Sequence, residues 1–175
     1  LTVSDPLQIY EAFDKAEDLV DVHTIVVDSL TYMMDIYETI HVLTSANTMK
    51  AWGDYAQFMK RLMSQYVTKS TKNIIFLAHT SDVMNEAEMI NETLVKVKGS
   101  LMNQGIESYF STVISCKKIP ITKLEKYGSS LLILTDEEKE LGFKYVYQTR
   151  LTKETVNERM RSRLGMWDIK DTFID

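Results

Sequence analysis

The chain has 175 residues, enough for one domain with a substantial core. Hydrophobic residues make up 45% and charged residues 26%, an ordinary balance for a globular protein, and no apolar run approaches the ~20 residues needed to cross a bilayer. The net charge of −5 argues against broad, unspecific adhesion to nucleic acid and leaves room for a local basic groove.

In chain order, Ser4-Asp5-Pro6 is a helix start: a capping side chain, then a proline where a missing N–H costs nothing. Leu7, Tyr10, Phe13 and Ala16 or Val20 follow at helical spacing, and the helix is expected to end near Val20-Asp21. His23 to Thr31 contains four consecutive β-branched residues, Thr24 to Val27, the pattern of a central parallel strand buried on both faces. The run stops at Asp28-Ser29. Ligands of open parallel sheets sit at the carboxyl ends of strands, so Asp28 is a candidate to hold a metal-bound water beside nucleotide phosphates. The structural alternative, equally weighted on this segment alone, is that Asp28 only caps a following helix.

Leu30 to Ser45 reads as a short helix breaking into a loop. Ser45 to Val67 is the clearest helix: Met49, Trp52, Tyr55, Ala56, Met59, Leu62, Met63 and Tyr66 form an apolar stripe, more often core packing than a cofactor site. Asn73 to Ala78 is a second apolar strand and ends in His79. The intervening helix is long enough for a right-handed crossover, which would make the strands parallel neighbours and bring Asp28 and His79 out at one edge. Thr80 to Lys98 reads as a long acidic loop rejoining the sheet through a short strand at Thr93 to Lys98. Ser111 to Ile119 is a third strand candidate, ringed by Lys117, Lys118, Lys123 and Lys126, a cluster that is most often a solvated face. Gly128 to Arg150 reads as a hairpin of Leu131–Leu134 against Phe143–Arg150, and Thr155 to Arg161 as a short helix. The single Cys116 forms no internal disulfide, and with no secretory signal the expected setting is a reducing, cytoplasmic one. His23, His41 and His79 lack nearby cysteines and give no zinc spacing.

Thr24-Ile25-Val26-Val27-Asp28-Ser29-Leu30 resembles the second nucleotide motif of RecA-type recombinases. With Ser4 to Leu7, Leu77-Ala78-His79, Val97-Lys98-Gly99, Gly142-Phe143-Lys144, Gln148-Thr149-Arg150, Val156 to Arg159 and Gly165-Met166-Trp167, the chain is similar to bacteriophage RecA-like ATPases of the single-strand-annealing type. The resemblance implies an α/β fold: a RecA-like, mostly parallel sheet flanked by helices, with a C-terminal β-hairpin extension. Residues 1–150 would be the ATPase core and 151–175 a tail of the same domain. It implies ATP and Mg2+ as cofactors, single-stranded DNA as partner, a homo-oligomeric ring or filament, and the host-cell cytoplasm as location, with no membrane. By position, Asp28 orients a magnesium-bound water and Ser29 supports it. His79 senses the γ-phosphate and passes its state to the DNA-touching segment 80–98. Lys98 and Arg150 are candidate basic groups for a neighbouring subunit's nucleotide, against the slightly favoured alternatives of a solvated strand end and a surface ion pair.

A phosphate-cradling loop needs a Gly-rich backbone and a Lys before Ser or Thr, and none of the glycines at 53, 99, 105, 128, 142 and 165 is followed by Lys. The chain opens on Leu1 and not Met, so the expectation is a fragment that starts after the phosphate loop and the catalytic Glu and binds ATP weakly or not at all. Two other readings stand beside it: a non-catalytic scaffold with the same fold, and a ring-helicase-type motor domain.

Overall fold

The computed structural model describes residues 4–99 and 105–175, which fall into two units: residues 4–81 with 95–99 and 105–106, and residues 82–94 with 107–175. In the first unit a 3-10 turn, Pro6–Gln8, runs into helix α1, Ile9–Asp18. The Asp5 carboxylate accepts from the Leu7 N–H at 2.9 Å and the Gln8 side chain reaches back to the Asp5 N–H at 3.1 Å, a reciprocal cap that fixes the start of the helix.

Strands β1, Thr24–Val27, and β2, Asn73–Phe76, pair in parallel with Val27 opposite Phe76. Between them lie α2, Leu30–Tyr37, continued by a π-helical stretch Glu38–Val42, and α3, Thr48–Arg61, continued by a second, Leu62–Val67. The helical path of residues 30–42 is longer than the short helix expected there. In α3 the buried side chains are Ala51, Tyr55, Phe58 and Met59, joined by Leu62 and Met63. Met49, assigned to the stripe from its spacing, protrudes into solvent from the first turn, just past the Asn47 cap. Aromatic rings finish this core: Tyr37 stacks on Phe58 at 5.4 Å and Tyr10 on Tyr66 at 4.6 Å. Burial pushes the Tyr55 phenol well above its ordinary range. Trp52 lies over Gly99, whose φ of +66° and lack of a Cβ allow the close approach.

The expectation that β1 and β2 are buried on both faces is corrected. Burial alternates along each strand, and Val26 and Ile75 are 56% and 47% exposed. The β-branched run sets strand propensity, but covering both faces takes a layer on each side. Among the described residues, β1 and β2 form a two-stranded sheet of their own, so the parallel ladder does not extend to a third strand.

β3, Thr80–Asn85, and β4, Ile90–Val95, pair with each other and not with β1–β2, which replaces the expected return to the parallel sheet. Their short connection admits only an antiparallel hairpin.

The second unit is built on a three-stranded antiparallel sheet of β5, Ser115–Pro120, β6, Phe143–Gln148, and β7, Phe173–Ile174, in the order β5-β6-β7. The expected C-terminal hairpin is therefore corrected: β6 pairs with β5, and Leu131–Leu134 is not a strand. Leu132 and Leu134 instead pack on the core of Ile119, Ile121, Leu124, Val146 and Phe173. Helix α4, Ile121–Leu124, follows β5, and α5, Asp136–Leu141, occupies the charged turn. A capping box of Thr135 and Glu138 starts α5 and Gly142, at φ 77°, ends it. The helix expected at Thr155–Arg161 is also corrected. Glu158 and Arg161 make isolated bridges with Thr93 and Val113, the Arg159 N–H donating to the Thr93 carbonyl at 3.1 Å.

Candidate functional site

The candidate site is the carboxyl end of the parallel pair. Past the strands proper the two chains stay joined: the Leu77 N–H donates to the Val27 carbonyl at 3.0 Å, and the return bond to the Leu77 carbonyl comes at 2.8 Å from Leu30, one residue beyond the donor of a regular ladder. Asp28 therefore lies just past the end of β1, and His79 three residues past the end of β2. Val26, Asp28, Ile75, Leu77 and His79 are all exposed. Asp28 and His79 thus emerge at one rim, as the parallel arrangement predicts. Neither side chain makes a hydrogen bond or ion pair among the described residues. The Asp28–Ser29 peptide is cis.

Asp28 does not cap α2. Ser29 does, its hydroxyl accepting from the Tyr32 N–H at 3.1 Å. The capping alternative for Asp28 is thereby set aside, and Ser29 is committed to the helix start. The main chain of His79 is held at both ends: its N–H donates to the Thr31 hydroxyl at 3.0 Å, and its carbonyl accepts from the Lys96 N–H at 2.8 Å.

Lys98 also belongs to the first unit, and its ammonium is engaged. It donates to the Glu38 carboxylate and lies 3.4 Å from Asp35. The hydrogen bond to Glu38, reinforced by Asp35, holds its pKa above the ordinary lysine value against the opposing effect of burial. It is neither a free basic finger nor a bare solvated strand end. Arg150 belongs to the second unit and donates to the Trp167 carbonyl at 2.6 Å. That bond is to a neutral group, not the surface ion pair considered from sequence. Of the lysines around β5, Lys117 pairs with Glu158, Lys123 with Glu154, and Lys118 lies 3.8 Å from the centre of the Phe143 ring.

Magnesium keeps most of its waters and is held by one or two carboxylates, so a single open carboxylate such as Asp28 fits it. Among the described residues no cluster of three or more His, Cys, Asp or Glu forms a denser site. Bound with nucleotide, the ion neutralises phosphate charge. A cavity of about 310 Å3 lined by Phe13, Asp14, Glu17, Gln65, Tyr66, Lys69 and Ser70 involves the turn that enters β2, not the end bearing Asp28 and His79.

The contacts missed from sequence are the Thr31 hydroxyl under His79 and the two acids holding Lys98. A buried hydroxyl in the first turn of α2 was the only local trace of the first; the second has none, since Glu38 lies 60 residues from Lys98. No helix among the described residues is long and apolar enough to cross a membrane. No curated protein and no solved structure matches the chain. The model of the AAA domain family matches residues 2–155, and the chain belongs to that family of nucleotide-dependent P-loop ATPases, which use nucleotide and Mg2+ in general.

Proposed function

We propose that the chain is the part of a RecA-like, phage-type ATPase that carries the second acidic motif and the phosphate sensor, coupling ATP hydrolysis to single-stranded DNA in recombination or replication. Family membership supports the ATPase chemistry. The observation that carries the rest is the parallel register of β1 and β2, which brings a free carboxylate and a free imidazole to one rim. There Asp28 orients a magnesium-bound water. Ser29 supports it by fixing the turn into α2, and His79 meets the terminal phosphate.

The state of His79 passes along the chain into the β3–β4 hairpin. In this reading DNA runs along the strands and not over the hairpin tip, where Glu86 and Glu88 repel phosphate. Arg150 reaches a neighbouring subunit's nucleotide in a ring or filament. Lys98 does so only after leaving Glu38 and Asp35. The core of residues 1–150 and the tail of 151–175 act as one domain.

The test is DNA-stimulated ATP hydrolysis by a form of the protein that carries a phosphate loop. Asp28→Ala abolishes it while the circular dichroism spectrum is unchanged; retained turnover removes Asp28 from the metal role. One observation favours a second reading, a non-catalytic scaffold. Val26, Ile75 and Leu77 form an exposed apolar strip beside the rim, suited to a protein partner. Tight, Mg2+-independent protein binding without nucleotide turnover is the result that selects it.

A further inference from the structure

The parallel ladder between β1 and β2 loses its regular spacing at its carboxyl end, where Leu30 and not Ser29 donates to the Leu77 carbonyl. The Asn73 N–H donates to the His23 carbonyl at 2.9 Å and the Leu77 N–H to the Val27 carbonyl at 3.0 Å. By the two-residue repeat of a parallel ladder, the next acceptor for His79 is the carbonyl of Ser29. That carbonyl is turned into the helix: it accepts the Met33 N–H at 3.0 Å, the first helical bond of α2, and not the His79 N–H. The chain has turned from strand to helix one residue too early for the sheet to hold the sensor. The hydroxyl of Thr31 fills the place, accepting from the His79 N–H at 3.0 Å from a side chain only 3% exposed.

We infer that Thr31 is the positioning residue for His79, a side-chain substitute for a strand carbonyl that locks the sensor backbone to the helix following Asp28. This deepens the reading of the rim as a phosphate-sensing site and rests on it for its functional meaning; the geometry does not. With the amide on Thr31 and the carbonyl on Lys96, His79 has a fixed Cα and a free imidazole. A sensor needs that combination, because a reporting side chain is useful only if its base does not drift. The same bond ties β2 to α2 directly, so a displacement of His79 pulls on the helix that begins at Ser29.

The test uses the whole chain, labelled for NMR. Thr31→Val keeps the shape and removes the acceptor; Thr31→Ser keeps the acceptor; Thr31→Ala removes it without a second methyl and serves if the valine variant misfolds. Losing one buried hydrogen bond speeds exchange of the His79 amide by roughly tenfold in the valine or alanine variant, with wild-type protection in the serine variant. The His79 imidazole Cε1–H resonance shifts with the amide, while that of His23 stays put. Unchanged amide protection in Thr31→Val or Thr31→Ala overturns the inference, as does a moved amide with an unmoved imidazole. Asp28→Asn separates the two claims. Failure of Mg2+-ATP to perturb the His79 signals in a form carrying a phosphate loop, or perturbation that survives Asp28→Asn, sinks the functional reading and leaves the Thr31 result standing.

Discussion

Two regions treat their polar groups in opposite ways: the β5-β6-β7 sheet and the rim of β1 and β2. In the sheet, Lys144, 11% exposed, lies 2.5 Å from Glu138 and 3.1 Å from Asp175, and the amide nitrogen of Gln148, fully buried, donates to the Arg150 carbonyl and the Thr155 hydroxyl, its amide oxygen alone being left without a partner among the described residues. At the rim of β1 and β2, a carboxylate and an imidazole stand in solvent with no hydrogen-bond or ion-pair partner among the described residues. Buried polar groups need partners or they cost stability. Exposed polar groups at strand ends do not contribute to packing, so their placement is explained by what they meet. The contrast separates residues that hold the fold from residues held by it.

The strongest way to break this contrast is through the core of the second unit. Phe173 is fully buried and meets Tyr127 edge-on at 4.9 Å, among Ile119, Leu124 and Val146. Phe173→Ala is expected to cost about 3–5 kcal/mol, read from the urea midpoint. A loss under about 1 kcal/mol would mean that the three-stranded sheet is held by something other than this cluster.

Next comes Lys144→Met, which leaves Glu138 and Asp175 facing each other. Both carboxylates still touch water, so the expected cost is about 1–2 kcal/mol, below that of a fully buried pair. Burial alone lowers the Lys144 pKa, but the hydrogen bonds from its ammonium to Glu138 and Asp175 outweigh it and hold the value above the ordinary lysine range. A raised lysine stabilises the fold at pH below its unfolded value and loses that contribution as pH rises through the folded one. Stability measured from neutral to strongly alkaline pH should therefore fall along this limb in the wild type and flatten in the variant.

A smaller effect is expected at Glu17, on the solvent side of α1. Its carboxylate accepts from the Ser70 hydroxyl and from the N–H and hydroxyl of Thr71, at 3.2 and 2.7 Å, tying α1 to the turn that enters β2. The bond from Ser70, then those from Thr71, hold its pKa below the ordinary glutamate value. A lowered carboxylate stabilises the fold above its unfolded pKa of about 4.3 and loses that contribution as pH falls through the folded one. The melting temperatures of wild type and Glu17→Gln should differ at neutral pH and converge in acid below that range. A gap constant with pH would remove the charged form from the explanation.

What could be read in the sequence follows the range of the interactions. The Asp5-Pro6 cap, the β1 and β2 runs and the long α3 helix depend on neighbours within a turn or two, and the chain states them directly. The partner of β6 does not. The alternation of Phe143 to Arg150 identifies a strand, yet Leu131–Leu134 and Ser115–Pro120 were both eligible partners. The capping box of Thr135 and Glu138, which puts a helix between the first of these and β6, was hidden in a charged run read as a turn. At the site, Asp28 and His79 stood out because an apolar run ends abruptly at each. The role of Thr31 was invisible, since it depends on the Ser29 carbonyl turning into a helix where a strand would have continued.

The smallest structural effect belongs to the residue expected to matter most for chemistry. Asp28 is exposed, makes no hydrogen bond or ion pair among the described residues, and leaves the capping of α2 to Ser29. Asp28→Ala should change stability by no more than about 0.5 kcal/mol in either direction, measured by urea unfolding. A loss several times larger would show that the carboxylate is engaged after all and close the gap between the two regions. A near-zero change, set beside a lost Mg2+-ATP response, would show the opposite: a side chain that the fold carries without leaning on it, free to spend its charge on a ligand.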